Sequence, residues 1–369
     1  MSIGANILAP WVNDRARMFD YLVRLNPQMV VVCDEPSVAA AIKSALPNTT
    51  VIHRWVVDGD GSHGNWTPDA WIRSFALPLP PGVMGYLLNE PGGNWRELSA
   101  WLVTVMSLCA ALNIPLCVGN FSKGTPPKAV IEAGELDALL LAFNDFPLHR
   151  FGYHPYWTDD PDTDEHANWH VHIQRRAAKI GAKVRLFATE SGRDERGAYS
   201  DGYHAHMPSA VFAEKETRHA ATLRAAGVPV APYCYGKGGP EVVNGKERFK
   251  WEQFDWQDDA VVQTAFLAFS QTGEVNDMVP GYVKAKTRQA GANVNVRVGP
   301  GLKHAAVTTV KTGDWVKRLP GSTIAADGYT WANVAVDKDA NSHVHGWCAL
   351  EVIEVGGQCW GTALRGSVP

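Results

Sequence analysis

Tyr86-Leu-Leu-Asn-Glu-Pro91 and Leu186-Phe-Ala-Thr-Glu-Ser-Gly192 are two apolar, strand-like stretches that each run into a glutamate. Apolar stretches favour burial, whereas a carboxylate is costly to bury without compensation. A glutamate in this position is therefore expected at the tip of a strand, where it faces a polar cleft. We expect Glu90 and Glu190 to lie at the same end of one sheet.

The pattern around these stretches repeats. Short apolar runs alternate with amphipathic segments from residue 1 to about residue 272. Strands are predicted at 4–8, 29–33, 51–57, 85–89, 116–120, 151–156, 184–190 and 228–235. Helices are predicted at 14–24, 37–46, 68–76, 96–112, 136–143, 166–179, 210–226 and 258–268. Eight strand–helix repeats predict a (β/α)8 TIM barrel. A doubly wound open sheet is the competing fold, but no glycine-rich dinucleotide fingerprint follows the first strand.

The chain changes character after the barrel repeats. Residues 273–289 are polar and rich in turn-forming residues, which predicts a linker. Residues 290–369 contain short alternating runs separated by turns such as Gly299-Pro-Gly301. This pattern predicts a small all-β domain, with strands at 294–298, 305–312, 314–317, 330–335 and 345–352.

Composition excludes several classes of partner. The 369 residues carry a net charge of −4, so the basic surface that nucleic acids require is not expected. No apolar run approaches the ~18 residues of a membrane span, so membrane insertion is not expected. The N-terminal stretch lacks the basic start and long apolar core of a secretory signal. We therefore expect synthesis in the cytoplasm, or export by a route that needs no signal peptide.

The six cysteines do not indicate a disulfide framework. Cys33, Cys109, Cys117 and Cys234 lie in apolar patterns and are expected to be buried free thiols, while Cys348 and Cys359 are close enough in sequence to pair. Cysteines and histidines do not cluster at zinc-ligand spacing. The acidic stretch 58–62 lacks the full calcium-loop pattern and is interpreted as a plain loop. No cofactor and no metal site are predicted.

Two strand-tip glutamates are the pair of groups that glycosidic bond cleavage requires. One carboxyl group donates a proton to the leaving oxygen, and the other attacks or stabilises the sugar cation. Whichever glutamate is the acid needs a raised pKa, and for Glu90 both burial and the charge of Glu190 would raise it. Arg54 either keeps the nucleophile charged or forms a structural ion pair. Further candidates for sugar contacts are the strand-end residues Trp55, Asn120 and Trp157. The two tryptophans are alternatively part of the packed core.

The first domain resembles the clan-A glycoside hydrolases, which are retaining (β/α)8 enzymes. The resemblance lies in Asn89-Glu90 on the fourth strand, Tyr153-His154-Pro155-Tyr156 on the sixth and Thr189-Glu190 on the seventh. It implies that Glu90 is the acid/base, that Glu190 is the nucleophile and that Asn89 contacts the sugar 2-hydroxyl. It further implies that Tyr153 bonds to Glu190 and that His154 lies in the sugar site. Many members end the eighth strand in a Trp, and here Tyr233 or Tyr235 would replace it.

The C-terminal domain resembles the bacterial SH3 domains. The resemblance lies in Val294-Asn-Val-Arg-Val-Gly-Pro-Gly301, Gly313-Asp-Trp-Val316 and Gly346-Trp-Cys-Ala-Leu350. Such domains commonly hold enzymes on peptidoglycan. Together the two resemblances imply an endolysin-like enzyme from a phage, or another wall-lytic enzyme, whose partner is cell-wall glycan. They also imply release to the cell wall by a holin-type route.

Other functions remain open at this level. The barrel is alternatively a clan-A β-glycanase acting on glucan, mannan or a similar polysaccharide, or a non-catalytic barrel that binds glycan. An amidase is disfavoured, because neither zinc ligands nor a nucleophile elbow is found.

Overall fold

The structure is a computed structural model, and it describes residues 2–57, 61–195, 202–243, 246–272, 278–279, 282–287, 293–311, 315–339, 342–349, 353–355 and 358–359. The chain divides into two compact units. The first comprises residues 1–202, 215–258 and 269–274, and the second comprises the remainder. Within the described ranges, none of the helices combines the length and the apolar character needed to cross a bilayer.

The first unit contains a parallel barrel. Its strands are β1 (Ala5–Leu8), β2 (Met29–Cys33), β3 (Thr50–Arg54), β4 (Met84–Leu87), β5 (Leu116–Phe121), β6 (Arg150–Tyr153), the two-residue β7 (Tyr156–Trp157), β8 (Leu186–Arg193) and β9 (Val230–Pro232). The hydrogen-bonded order is β1-β2-β3-β4-β5-β6-β8-β9, and β7 pairs with the end of β8. The barrel closes where Gly4 N donates to Val230 O and Tyr235 N donates to Asn6 O, both at 2.7 Å. These eight strands confirm the predicted (β/α)8 barrel.

Helices connect successive strands. They are α1 (Arg15–Leu25), α2 (Pro36–Ala45), α3 (Pro68–Trp71), α4 (Trp95–Ala111), α5 (Lys128–Ala133), α6 (Asp137–Asp145), α7 (His170–Ile180), α8 (Tyr203–His206), α9 (Ser209–Ala225) and α10 (Ala260–Thr272). A π-helical turn over Ile72–Ala76 extends α3. Side chains cap the N-termini of some of these helices. The Asp14 carboxylate accepts a hydrogen bond from Arg17 N at the start of α1, and the Asn94 amide oxygen accepts one from Glu97 N at the start of α4.

The barrel interior is apolar and closely packed. Strands β1 and β2 are buried along their whole length, because side chains on both faces meet protein. Met29, Ile52, Met84 and Phe187 come from four different strands and share one buried cluster. Cys33, Cys109, Cys117, Cys234 and Cys348 are buried free thiols, which confirms that prediction for the four barrel cysteines. A rigid, filled barrel leaves the carboxyl ends of its strands as the place for chemistry.

A hairpin of the first unit follows the last barrel strand. It consists of β10 (Pro240–Val243) and β11 (Lys246–Phe249), which pair antiparallel. Trp251 N donates to Lys237 O at 2.8 Å just beyond the hairpin and fixes its base.

The described strands of the second unit form an antiparallel sheet. They are β12 (Met278–Val279), β13 (Tyr282–Thr287), β14 (Val294–Arg297), β15 (Ala306–Val310), β16 (Trp315–Ala326), β17 (Tyr329–Asp339), β18 (Ser342–Ala349), β19 (Ile353–Val355) and β20 (Gln358–Cys359). The order is β15-β14-β18-β17-β16-β13-β19-β20, with β12 on β13. Valines from β14, β15, β16 and β17 pack with Cys348 in its core.

The expected linker differs from the structure. Strands β12 and β13 lie inside the range 273–289, and β13 pairs with both β16 and β19. The physical reason is that Tyr282-Val-Lys-Ala-Lys-Thr287 alternates in polarity, as a strand with one buried face does. The sheet of the second unit therefore begins earlier than the turn-forming residues indicate.

Candidate active site

The two glutamates lie at the carboxyl end of the barrel. Glu190 is part of β8, and Glu90 follows β4 by three residues. Glu90 has a positive φ of 51°, and its N–H donates to Asn120 O at 3.0 Å. This bond fixes the loop after β4 to the end of β5, so the Glu90 side chain starts from a fixed backbone.

Glu190 is nearly buried and carries two strong hydrogen bonds. Its side chain is 7% exposed. Arg54 Nη1 donates to Oε1 at 2.9 Å, and Tyr156 Oη donates to Oε2 at 2.7 Å. Burial and the charge of Glu190 raise the pKa of Tyr156 well above its usual 10, so the phenol keeps its proton and remains a donor. Both carboxylate oxygens are thus held in a fixed orientation, and their charge is compensated.

His154 lies between the two glutamates. Its Nδ1 is 2.9 Å from Glu90 Oε1 and 3.7 Å from Glu190 Oε2, and its side chain is fully buried. Because both oxygens lie this close to one nitrogen, they are at most about 6.6 Å apart. Retaining glycosidases hold their carboxyl groups ~5–5.5 Å apart, and inverting ones ~6.5–9.5 Å. The limit applies to one oxygen of each carboxylate, and it is consistent with the retaining range.

The hydrogen bonds of Tyr86 determine which proton His154 carries. The Tyr86 hydroxyl donates to Asn89 Oδ1 at 3.0 Å and lies 2.8 Å from His154 Nε2. A hydroxyl has one proton to give, so Nε2 is the donor in the second bond. The opposite nitrogen, Nδ1, then shares one proton with Glu90. That proton is either on the imidazole or on the carboxyl group.

The pKa of Glu90 differs from the sequence expectation. Burial acts to raise it, but the hydrogen bond from His154 and the charges of His154 and Arg54 outweigh burial and lower it below 4.5. The expected raised pKa is therefore wrong for this arrangement, because the sequence does not reveal that a histidine contacts Glu90. Glu90 is therefore part of a hydrogen-bonded pair with His154 rather than an isolated carboxyl group.

A cavity of about 240 Å³ opens in front of the glutamates. Five predicted residues line it, namely Arg54, Asn89, Glu90, Glu190 and Tyr233. Its wall also contains residues that sequence reasoning did not select, including Trp11, Asp34, Tyr156 and Trp251. Carboxylates for sugar hydroxyls and flat aromatic faces for sugar rings are thus present in one cleft.

Other predicted residues lie elsewhere in the first unit. Tyr153 does not bond to Glu190; Tyr156 does, and the Tyr153 hydroxyl is buried without a hydrogen-bond partner among the described residues. Tyr235 packs between Tyr21 and Trp256, because the chain after β9 is held beside β1, where Tyr235 N donates to Asn6 O at 2.7 Å.

Three further candidates support the cleft from outside it. Trp157 is fully buried and donates from Nε1 to Glu216 at 2.8 Å. Asn120 is buried, and its Nδ2 donates to Leu87 O and Leu88 O, so it holds the loop that bears Glu90. Trp55 lies beside the main cavity and donates from Nε1 to Phe75 O at 3.1 Å. These side chains position the site rather than face its main cavity.

Asp34 is a cavity residue that sequence reasoning missed. It follows β2 directly, with φ at 64°, and its Oδ1 accepts a hydrogen bond from Val56 N at 2.7 Å. Burial raises the pKa of Asp34, and this effect outweighs the hydrogen bond from Val56 N and the charge of Arg54, which both lower it. The available signal is its place as the first polar residue after the apolar run Met29–Cys33, the same pattern that singles out Glu90.

No metal site is visible in the part of the chain that the structure describes. No three His, Cys, Asp or Glu side chains are grouped there as a metal ion would require. Residues 58–60, the first part of the acidic stretch interpreted as a plain loop, lie outside the described residues.

Several solved structures are similar to this chain. A mannohexaose complex of Thermomonospora fusca β-mannanase has a TM-score of 0.43 and 12% identity, covering 74% of this chain and 92% of that chain. A GH5 xyloglucan-specific endo-β-1,4-glucanase from a metagenomic library has a TM-score of 0.44 and 11% identity, covering 72% and 96%. A tri-modular GH5 endo-β-1,4-glucanase from Bacillus licheniformis has a TM-score of 0.46 and 12% identity, covering 96% and 78%.

No protein-family model and no curated protein matches the sequence. The barrel of this chain is established by its own strand pairing. The substrates of the similar structures are properties of those proteins.

Proposed function

We propose that the chain is a retaining glycoside hydrolase in which Glu190 is the nucleophile and Glu90 is the acid/base. The observation that supports this most is the position of His154 Nδ1, 2.9 Å from one carboxylate and 3.7 Å from the other. This arrangement supports the proposal because the attacking carboxylate and the proton-donating carboxyl group must both reach the same glycosidic bond.

The chemistry follows from the protonation of the two sites. Glu190 attacks the anomeric carbon, the bond to the leaving sugar oxygen breaks, and that oxygen takes the proton shared by Glu90 and His154. A glycosyl ester on Glu190 results. Glu90, now a carboxylate, removes a proton from water, whose oxygen attacks the anomeric carbon and releases Glu190. The proton returns to the Glu90–His154 pair, so the cycle is closed.

Two residues prepare the nucleophile for this step. Arg54 and Tyr156 each hold one oxygen of Glu190, which fixes the carboxylate before the sugar arrives. Asn89, whose Oδ1 is held by Tyr86, offers its Nδ2 to the sugar 2-substituent.

The substrate that we propose is the glycan of bacterial cell walls, with glucan or mannan as the alternative. The support is the C-terminal domain, whose sequence resembles bacterial SH3 domains, joined to a glycosidase-like site. Sedimentation of the full-length Glu90→Gln variant with purified cell walls, compared with insoluble glucan, tests the binding. Preference for the glucan would reassign the substrate and leave the barrel chemistry unaffected.

The reaction itself is tested by trapping and by stereochemistry. A 2-deoxy-2-fluoro glycoside should label Glu190, as mass spectrometry of the digested protein would show, and Glu190→Gln should remain unlabelled. Proton NMR of a fresh digest should show retained anomeric configuration. Both Glu90→Gln and Glu190→Gln should lower turnover at least ~10²-fold. An inverted product, or full turnover in either variant, would refute the assignment, and a non-catalytic glycan-binding barrel would show no turnover while keeping its affinity in both.

A further inference from the structure

A small aromatic slot lies beside the main cavity and shares Asn89 with it. Its volume is about 10 Å³, which corresponds to one group the size of a water molecule. The slot is walled by Trp55, Trp66, Trp71, Phe75, Tyr86 and Leu88, with Val57 at its rim. Because Asn89 lines both spaces, the slot lies next to the cavity that contains Glu90 and Glu190.

Apart from Asn89, the slot is lined by aromatic and aliphatic residues. Phe75 packs edge-on against Trp66 at 4.9 Å, and the Trp55 indole is tied to Phe75 O. The Tyr86 hydroxyl, a polar group of the wall, is committed to Asn89 and His154. A sugar hydroxyl entering this slot would lose water without gaining an equivalent partner, whereas a methyl group gains contact. The slot therefore favours one methyl-sized group.

The place of the slot indicates which carbon of the sugar bears that group. The two glutamates flank the anomeric carbon, and the substituent on the neighbouring carbon, C2, points toward Asn89 in the proposed function. A 2-acetamido group satisfies both features: its carbonyl oxygen accepts from Asn89 Nδ2, and its methyl group enters the slot. A 2-hydroxyl group reaches the amide alone.

We infer that the slot is an acetamido-binding subsite, and that the enzyme is specific for glycans built from 2-acetamido-2-deoxy sugars. This inference rests on the proposed glycosidase function and narrows its substrate class. It separates N-acetylated cell-wall glycan from glucan and mannan, which bear a hydroxyl group at C2.

The test compares substrates that differ at C2 alone. N-acetylchitohexaose and cellohexaose share the β-1,4-linked gluco backbone, and cell-wall glycan strands are assayed natural and chemically de-N-acetylated. We expect kcat/KM to favour the acetamido member of each pair at least ~10-fold, the low end for one methyl-sized group in an apolar pocket. Val57→Trp fills the slot from its rim and should lower this ratio ~10-fold, and Trp66→Ala, which removes a wall, should do the same. Val23→Trp, at an exposed site on α1, is the matched control and should keep the wild-type ratio.

The outcomes separate the two hypotheses. Equal or better cleavage of the hydroxyl or de-N-acetylated member, in an enzyme that still labels Glu190, overturns the acetamido subsite and leaves the glycosidase function intact. The acetamido subsite is likewise overturned if folded Val57→Trp and Trp66→Ala both keep the wild-type ratio. Absence of cleavage of every substrate, with no label on Glu190, overturns the glycosidase function and the subsite with it.

Discussion

Tyr156 and Tyr153 form a natural pair for testing how Glu190, the proposed nucleophile, is held. Both phenols are buried, and they lie three residues apart on either side of His154 and Pro155. Tyr156 donates to Glu190 Oε2 at 2.7 Å, whereas the Tyr153 hydroxyl has no partner among the described residues. Replacing each with Phe removes one oxygen atom from similar surroundings and leaves the ring in place.

The expected effects differ because the two hydroxyls differ in what they bond to. A hydrogen bond to a charged group contributes about 1.5–3 kcal/mol. At 1.36 kcal/mol per factor of ten, Tyr156→Phe should lower kcat/KM roughly 10- to 150-fold. Tyr153→Phe removes a buried hydroxyl without a protein partner among the described residues, so activity should be unchanged and the free energy of unfolding unchanged or higher.

The assay is the initial rate on an activated aryl glycoside, with urea unfolding of each variant to show that it is folded. A chromogenic leaving group needs little acid assistance, so its rate reports on the nucleophile. Equal losses in the two variants would refute the reasoning from geometry. A larger loss in Tyr153→Phe would show that the sequence-based assignment of Tyr153 is correct in solution.

Three further perturbations follow from the same network. Arg54→Met leaves the buried Glu190 carboxylate without its cation, and urea unfolding should show a loss of about 3–5 kcal/mol; a loss below about 1 kcal/mol would mean that the pair is open to solvent. His154→Leu removes the bond and charge that lower the pKa of Glu90, so the pKa should rise above 4.5, which an NMR titration of the carboxyl carbon measures. Because the pKa of Glu90 is lower in the folded chain than in the unfolded chain, the wild-type free energy of unfolding should rise with pH in the range below 4.5. The variant should lose this rise. An unchanged titration of Glu90 would contradict the pairing with His154. The buried Glu216 carboxylate accepts hydrogen bonds from Trp157 Nε1 and Ser191 Oγ, and Glu216→Gln places an amide nitrogen against one of these donors. Urea unfolding should show a loss of about 1–3 kcal/mol in the free energy of unfolding. No loss would argue against these two bonds.

The barrel could be predicted because its strands are short, apolar on both faces and separated by amphipathic helices. The runs at Met29–Cys33 and Leu116–Phe121 are buried throughout, so they lack alternation but end sharply at polar residues. The sequence does not predict helix α5 (Lys128–Ala133), because six residues are too few to show a helical period. The strand Tyr282–Thr287 falls within the predicted linker because neighbouring turn formers outweigh its alternation.

The candidate site could be predicted to the level of its strands but not of its contacts. Arg54 ends β3, Glu90 follows β4 by three residues and Glu190 lies in the second half of β8. A closed barrel brings the carboxyl ends of its strands together whatever the loops do. Whether Tyr153 or Tyr156 contacts Glu190 could not be predicted, because β6 ends at Tyr153 and β7 begins at Tyr156. The side-chain alternation of one strand does not continue across His154 and Pro155 into the next. The lowered pKa of Glu90 could not be foreseen, because it depends on a distance of 2.9 Å to a residue 64 positions away.

Positive backbone φ angles give an independent indication of where the candidate site lies. Four non-glycine residues with positive φ, Asp34, Leu88, Glu90 and Asn120, lie at or just beyond the carboxyl ends of β2, β4 and β5. Each such conformation is unfavourable for an L-residue and persists when its surroundings enforce it. Here the enforcement is visible: Asp34 N donates to Arg54 O, Glu90 N donates to Asn120 O, and the Asn120 amide donates to Leu88 O. Two of these residues, Asp34 and Glu90, line the same cavity. The unusual backbone conformations therefore coincide with the cavity.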